Sequence, residues 1–124
     1  DRLMALVLIV DDSPTEVHVL RQFLENAGFE TDSANDGSEG IAKVRQRRPD
    51  VVLMDIVMPG MNGFQATREL SKDPDTAAIP VLMVTTKSDE TDRVWGMRQG
   101  ATDYIVKPVT EEQLVTKVKA VLNG

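Results

Sequence analysis

The residues in this sequence most suited to chemistry are three aspartates, each of which directly follows a run of apolar residues. Asp11 and Asp12 follow Leu6–Val10. Asp55 follows Val51–Met54. Continuous apolar runs of this length are typical of strands buried on both faces of a sheet. In open parallel α/β sheets, functional groups collect at the carboxyl ends of the strands. Three carboxylates that meet there repel one another unless a cation or protons neutralise them, so the aspartates indicate a functional site.

Further polar residues follow two other apolar runs and suit the same edge of the sheet. Thr85 and Thr86 end the run that begins at Val81, and Lys107 follows the run at 104–106. A lysine supplies a compact positive charge, and a threonine hydroxyl supplies a hydrogen bond. Carboxylates suit a hard cation such as Mg²⁺, which takes one or two protein carboxylates together with phosphoryl oxygens. These residue types predict a site for a small phosphoryl dianion beside a metal.

One of the aspartates is predicted to carry the phosphoryl group covalently, because aspartyl phosphates are established nucleophilic intermediates. Asp55 is the better candidate for the nucleophile, since it stands alone after a central strand and precedes a loop rich in breakers. The adjacent pair, Asp11 and Asp12, is better placed to hold the metal.

The elements that must position these residues alternate between strand-like and helical patterns. After the first strand, Ser13 is predicted to cap a helix, Glu16 to complete a capping box with it, and Gly28 to end that helix. The remaining predicted elements are a weak strand near 29–33, a helix from around Ser38 to before Pro49, a strand at 51–55, a helix from about 64 to 72, a strand at 81–85, a helix at 89–99, a strand at 104–106 and a helix capped by Thr110 and Gln113.

Strict alternation of five β–α units predicts an α/β fold. We expect a single (βα)5 domain with a doubly wound, parallel, five-stranded sheet, right-handed crossovers and helices on both faces. A chain of 124 residues is ample for one core and short for two. The domain is predicted to occupy residues 4–124, and residues 1–3, which precede a methionine, are predicted to be a remnant outside it.

Composition excludes several other classes of protein. The sequence has no cysteine, which excludes a disulfide framework and a thiolate zinc site. No apolar run approaches the roughly 18 residues of a membrane span, and the start has no signal-peptide layout. The net charge of −6 argues against nonspecific binding to nucleic acid. We therefore expect a cytoplasmic protein that binds neither membranes nor nucleic acid.

Four motifs in order along the chain resemble the receiver domains of two-component response regulators, similar to CheY. The resemblance covers nearly the whole chain from Met4 and implies the flavodoxin-like strand order 2-1-3-4-5. The motifs are Leu-Ile-Val-Asp-Asp-Ser at 8–13, Leu-Met-Asp-Ile-Val-Met-Pro-Gly-Met-Asn-Gly at 53–63, Val-Thr-Thr at 84–86, and Gly-Ala-Thr-Asp-Tyr at 100–104 running into Lys107-Pro108.

This resemblance implies a role for each acidic and basic strand-end residue. Asp55 is implied to be the phospho-acceptor. Asp12 and Asp55 are implied to ligate Mg²⁺ directly, Asp11 through a water molecule, and Val57 through its backbone carbonyl. Lys107 is implied to pair with the phosphoryl group.

The resemblance also implies how phosphorylation is made and read. A histidine kinase would donate the phosphoryl group, Thr85 would donate a hydrogen bond to it, and Thr86 would contact it through its backbone amide. Tyr104 resembles the aromatic switch that turns inward when Thr85 moves, which alters the face of the fourth helix, fifth strand and fifth helix. A downstream protein partner would bind that face. We expect a monomer or weak dimer that is not a conventional turnover enzyme.

Three positions depart from the usual residues of the family. Thr86 stands where a smaller residue is usual, Val57 offers no polar side chain near the nucleophile, and Lys87 brings a positive charge to the mouth of the site. Such positions influence the lifetime of the phosphoryl group in the family, so the resemblance implies no particular lifetime here.

A closer resemblance, to the PilH branch of single-domain regulators, is carried by shorter segments. That branch serves the chemotaxis-like system that controls type IV pilus twitching motility, which the resemblance implies here. A flagellar-type chemotaxis regulator and a phosphate sink are the alternatives. The segments are Phe64-Gln65-Ala66-Thr67-Arg68, Thr85-Thr86-Lys87 and Val94-Trp95-Gly96-Met97-Arg98-Gln99-Gly100.

Two other classes of protein share parts of this pattern. Haloacid dehalogenase phosphatases also use a strand-end nucleophile and Mg²⁺, but they need a second acid two positions later, where this chain has Val57. A flavodoxin-like electron carrier would need hydroxyl and glycine donors around a flavin phosphate, which Asp11 and Asp12 would repel.

Overall fold

The computed structural model describes residues 5–124, so the predicted remnant at 1–3 and the start at Met4 lie outside the described residues. Five parallel strands form one sheet in the order β2-β1-β3-β4-β5, which confirms the predicted fold and strand order. The strands are β1 (Leu6–Val10), β2 (Glu30–Ala34), β3 (Val51–Met54), β4 (Val81–Thr85) and β5 (Asp103–Val106). The helices are α1 (Pro14–Asn26), α2 (Gly37–Arg47), α3 (Gly63–Lys72), α4 (Glu90–Arg98) and α5 (Glu111–Asn123).

The core consists of two apolar layers, one on each face of the sheet. Because successive side chains of a strand point to opposite faces, Leu8 and Val10 enter one layer while Val7 and Ile9 enter the other. Helices α2 and α3 cover the first layer, and α1 and α5 cover the second. All five residues of β1 and all four of β3 are buried. The prediction that these strands are buried on both faces is confirmed.

The helix starts match the sequence signals only in part. The capping box of α5 forms in both directions between Thr110 and Gln113, as predicted. In α1, Ser13 accepts the N–H of Glu16 at 3.3 Å. The predicted return hydrogen bond, from the N–H of Ser13 to the Glu16 side chain, is wrong, because that N–H donates to Asp11 Oδ1 at 2.9 Å. Helix α2 starts at Gly37, in agreement with the predicted start around Ser38, and the side chain of Asp36 accepts the N–H of Glu39 as its cap.

Polar side chains cover the edge strand β2, which the sequence predicted to be weak. Asp32 on β2 pairs with Lys43 at 3.3 Å and with Arg47 at 3.1 Å, both on α2. Arg47 also lies 3.7 Å from Glu30. Charged residues on an edge strand discourage pairing with another chain.

In the part of the chain that the structure describes, no helix is long and apolar enough to cross a membrane.

Helix α4 is packed less tightly against the sheet than the other helices, and Gly96 is its one buried residue. A glycine inside a helix reflects either close packing or a pliable helix. A Cβ built at position 96 would lie 3.4 Å from Tyr104 Cδ2 and 3.5 Å from Met83 Cγ, which is ordinary van der Waals contact. Close packing therefore does not require glycine at position 96.

We expect Gly96→Ala to raise the free energy of unfolding by about 1 kcal/mol, because alanine loses less backbone entropy than glycine in a helix. Urea denaturation followed by circular dichroism measures the change. Gly40→Ala is the matched control in α2, and we expect no gain there, since its Cβ would lie 3.0 Å from both Cγ atoms of Val10. A loss of stability in Gly96→Ala would contradict the prediction.

Candidate functional site

The three aspartates of the sequence meet at the carboxyl edge of the sheet. Strands β1 and β3 are neighbours, and Val10 pairs with Met54, so Asp11 and Asp55 follow paired residues. Each of Asp11, Asp12 and Asp55 offers a carboxylate oxygen that lies within 4.8 Å of the others. Asp11 is 2% exposed, the Asp55 side chain 12%, and Asp12 is exposed.

The three carboxylates differ in their hydrogen bonds. Asp11 accepts the N–H of Ser13 on Oδ1 at 2.9 Å and Lys107 Nζ on Oδ2 at 2.7 Å. Asp55 accepts the N–H of Ile56 on Oδ1 at 2.8 Å. Among residues 5–124, no side chain or backbone group donates to the Asp12 carboxylate. With respect to the described residues, Asp12 is therefore the carboxylate whose oxygens are open to an added ligand.

The ammonium group of Lys107 lies among the acidic side chains. Its Nζ is 2.7 Å from Asp11, 3.4 Å from Glu16 and 3.6 Å from Asp55, and its side chain is only 7% exposed. Burial alone would lower the pKa of Lys107, but the hydrogen bond to Asp11 and the charges of Asp55, Asp11 and Glu16 outweigh burial and raise it. Lys107 therefore keeps its positive charge at neutral pH.

The carboxylate of Asp55 is less stable in this site than it would be in water. Burial is the main cause of its raised pKa, and the charge of Asp11 adds to it. The charge of Lys107, the N–H of Ile56 and the Thr85 hydroxyl lower that pKa without cancelling the effect of burial. A cluster of oxygen ligands that is short of positive charge fits a hard divalent cation such as Mg²⁺.

The main chain of Lys87 links Thr85 to Tyr104. Thr85 is fully buried, and its Oγ1 accepts the N–H of Lys87 at 3.3 Å. The hydroxyl of Tyr104 donates to the Lys87 carbonyl at 2.6 Å. Tyr104 is 5% exposed and belongs to the core, so the ring lies inward in this structure. Lys87 therefore contacts Thr85 through its N–H and Tyr104 through its carbonyl.

Burial raises the pKa of Tyr104 to about 12, and the negative charges of Asp92, Asp55 and Asp89 add to the effect. We expect this pKa in an ultraviolet titration, which is simple to read because the sequence contains one tyrosine. Since the folded state favours the protonated phenol, its contribution to stability is complete below about pH 10 and is lost as pH rises through the folded pKa. Ionisation near pH 10 with an unchanged circular dichroism spectrum would contradict this prediction.

Two predicted site residues lie in loops at the same edge of the sheet. Val57 lies two residues after Asp55, between β3 and α3, and its side chain is apolar and 59% exposed. Thr86 directly follows β4 and is exposed. The structure thus brings Asp11, Asp12, Asp55 and Lys107 into contact range, while Thr85 and Tyr104 are joined through Lys87.

The sequence patterns missed Gly63, which the structure places against the backbone of Asp55. A Cβ at position 63 would lie 2.0 Å from the Asp55 carbonyl oxygen and 2.8 Å from Ile56 Cα. The N–H of Gly63 also donates to the Ile56 carbonyl at 2.9 Å. Asn62 caps α3 through a reciprocal capping box with Gln65, which holds the start of this helix at the site. The Asn-x-x-Gln signal was present in the sequence, but the close approach of Gly63 was not.

Comparisons with known proteins agree with this architecture. The response regulator receiver domain family matches residues 7–119. Protein PilH of Pseudomonas aeruginosa is 61% identical over 121 residues, which cover 98% of this chain and 100% of that protein. The DNA-binding response regulator MtrA of Mycolicibacterium smegmatis is 40% identical over 97% of this chain, which spans only 51% of that protein.

The similarity extends to solved structures. The chemotaxis protein CheY4 of Vibrio cholerae aligns with a TM-score of 0.89 and 36% identity, over 95% of this chain and 98% of that one. The sequence identity, the fold similarity and the nearly complete coverage of both chains all lead to one assignment. The chain belongs to the response regulator receiver domain family and is the receiver domain of a two-component response regulator.

Proposed function

We propose that Asp55 accepts a phosphoryl group from the phosphohistidine of a histidine kinase, and that this modification changes the binding of a partner protein. The observation that carries the proposal is the position of Asp55, with a buried ammonium group 3.6 Å away and two further carboxylates beside it. Receiver domains take their phosphoryl group from histidine kinases, so the donor follows from the family.

The transfer needs a nucleophilic oxygen and stabilisation of the charge on the phosphoryl group. The Asp55 carboxylate supplies the nucleophile: its Oδ1 accepts the N–H of Ile56, and its Oδ2 lies 3.6 Å from Lys107 Nζ. A P–O bond forms as the P–N bond of the phosphohistidine breaks, and the imidazole keeps the electron pair and takes up a proton. Lys107 stabilises the negative charge of the phosphoryl oxygens. The chain thus takes part in its own modification without being a conventional turnover enzyme.

The acidic cluster supplies the ligands for Mg²⁺. Asp12 and Asp55 would hold it directly, Asp11 through a water molecule, and Val57 through its backbone carbonyl. Two contacts support this division, because both oxygens of Asp11 already accept hydrogen bonds while those of Asp12 accept none from residues 5–124. When bound, the metal neutralises charge on the carboxylates and on the phosphoryl oxygens.

Thr85 and Tyr104 would read the phosphoryl group. We propose that the Thr85 hydroxyl and the backbone amide of Thr86 bind it. Because the Tyr104 ring already lies inward in this structure, the change would reach the α4-β5-α5 face through the Lys87 main chain that holds the ring, and not through an inward turn of the ring. This face carries exposed apolar side chains that suit a protein partner. They are Val94, Trp95, Met97 and Val106.

The pathway proposal rests on the similarity to PilH of Pseudomonas aeruginosa. We propose a cytoplasmic regulator, a monomer or weak dimer, that acts in control of type IV pilus twitching motility and contacts neither membrane nor nucleic acid. Pull-downs with and without beryllofluoride, a phosphoryl analogue, test this pathway. The identity of the captured partner distinguishes a regulator of twitching motility from a flagellar-type regulator. Capture of the kinase alone would support the alternative, a phosphate sink.

The phospho-acceptor proposal is tested by incubating the protein with a small phosphodonor in Mg²⁺ or in excess chelator. We expect one phosphoryl group per chain, found only with Mg²⁺ and located at Asp55 by tandem mass spectrometry. Beryllofluoride is expected to change the fluorescence of Trp95, which is 48% exposed on α4. The proposal fails if no Mg²⁺-dependent adduct forms.

A further inference from the structure

The side chain of Glu16 lies beside Lys107 at the candidate site instead of completing the capping box of α1. The Ser-x-x-Glu pattern at 13–16 predicts that its side chain returns to the N–H of Ser13. That N–H donates to Asp11 instead. Glu16 Oε1 lies 3.4 Å from Lys107 Nζ, and the Glu16 side chain is 41% exposed, whereas that of Lys107 is 7% exposed. The pair links the first turn of α1 to the end of β5.

Glu16 competes with Asp55 for the same ammonium group. Lys107 Nζ is closer to Asp11, at 2.7 Å, and to Glu16, at 3.4 Å, than to Asp55, at 3.6 Å. An ammonium group has three N–H donors, and here three carboxylates surround it. A phosphoryl group on Asp55 must therefore compete for Lys107 with the carboxylates of Asp11 and Glu16. The negative charge of Glu16 also repels the phosphoryl group.

We propose that Glu16 is a positioning residue that holds Lys107 and supplies a fourth negative charge to the site. This inference rests on the proposed function of Asp55. The added charge favours binding of a cation and disfavours binding of the phosphoryl dianion, so Glu16 biases the site towards its Mg²⁺-loaded, unphosphorylated form. Glu16 acts through Lys107 and through its charge, and it needs no contact with the phosphoryl group.

The size of the effect follows from distance and screening. Glu16 and Asp55 contact the same ammonium group, so their charges lie closer together than the Debye length of about 8 Å at physiological ionic strength. The partial exposure of Glu16 weakens the interaction relative to a buried pair. We therefore expect changes in binding constants between about threefold and tenfold, larger at low salt than at high salt.

Glu16→Gln tests the proposal, because it keeps the shape of the side chain and removes its charge. We expect the affinity for Mg²⁺, measured by calorimetry without a phosphodonor, to fall by about threefold to tenfold. We expect the affinity for beryllofluoride, measured at saturating Mg²⁺ by fluorine NMR, to rise by a similar factor. Glu16→Asp keeps the charge and is expected to restore most of the Mg²⁺ affinity.

Glu69→Gln is the matched control, since it makes the same change in net charge at an exposed position of α3. We expect wild-type affinities for both ligands. The inference is overturned if Glu16→Gln changes neither affinity, if it lowers both together, or if Glu69→Gln has the same effects. These outcomes differ from failure of the proposed function, in which the wild-type protein itself forms no beryllofluoride adduct.

Discussion

Asp55→Asn is expected to abolish Mg²⁺-dependent phosphorylation and the beryllofluoride adduct. The asparagine amide keeps the shape of the side chain but is not a nucleophile, and it removes one of the three charges that make the cluster suitable for a divalent cation. Mass spectrometry after incubation with a small phosphodonor measures the first loss. Calorimetry measures the effect of the lost charge on the metal site, and we expect the affinity for Mg²⁺ to fall by at least tenfold.

The loss of labelling in Asp55→Asn is not expected to come from unfolding. Burial raises the pKa of Asp55, so its ionised form is disfavoured in the folded protein, and removing that charge stabilises the fold above the pKa of the unfolded chain. Lys107 keeps Asp11 and Glu16 as ion-pair partners in the variant. Without Mg²⁺ we expect an equal or higher Tm. Asp75→Asn, at an exposed position, is the control and should label normally. Unchanged labelling of Asp55→Asn would contradict the assignment of the nucleophile.

Gly63→Ala is expected to lower the free energy of unfolding by about 3 kcal/mol or more, because the new methyl group overlaps backbone atoms that cannot rotate away. The Cβ would lie 2.0 Å from the Asp55 carbonyl oxygen, so α3 or the chain at 55–56 must move. Movement of the chain at 55–56 would displace the Asp55 carboxylate, whose Oδ1 accepts the N–H of Ile56, and we then expect a lower affinity for Mg²⁺. Urea denaturation and Mg²⁺ calorimetry on the same preparation measure the two effects.

The matched comparison for Gly63→Ala is Gly96→Ala, which adds the same methyl group in a helix where it makes ordinary contacts. We expect opposite signs for the two changes in stability. If Gly63→Ala were as stable as the wild-type protein and bound Mg²⁺ equally well, the close approach of α3 to Asp55 would be wrong. The pair of variants therefore separates the cost of a clash from the general effect of replacing glycine by alanine.

The strands and their terminal residues were predictable because their signals are local. A strand buried on both faces appears as an unbroken apolar run, as in Leu6–Val10 and Val51–Met54, and the residue after the run lies at the edge of the sheet. The parallel sheet follows from the alternation of strands with helices. The order β2-β1-β3-β4-β5 came from family resemblance, since alternation alone does not determine which strands are neighbours.

Two similar capping signals show where local reasoning stops. Thr110 and Gln113 form the predicted box in both directions. Ser13 and Glu16 carry the same signal and form only half of it. The difference lies in what surrounds each helix start, because Asp11 accepts the free N–H at the start of α1 and Lys107 attracts the glutamate. The folded site supplies both groups: the Asp11 carboxylate, which accepts the N–H of Ser13, and the Lys107 ammonium group, which attracts the Glu16 side chain.

The amino-acid sequence by itself determined the elements, the buried runs and the identity of the carboxylates, the lysine and the threonine at the edge of the sheet. These depend on periodicity and on neighbours a few residues apart. Only the tertiary structure decided that Glu16 meets Lys107, that the Lys87 main chain joins Thr85 to Tyr104, and that Gly63 must lack a side chain. The reason is physical: each of these contacts depends on how separate elements are placed across the sheet, and no local pattern encodes that distance.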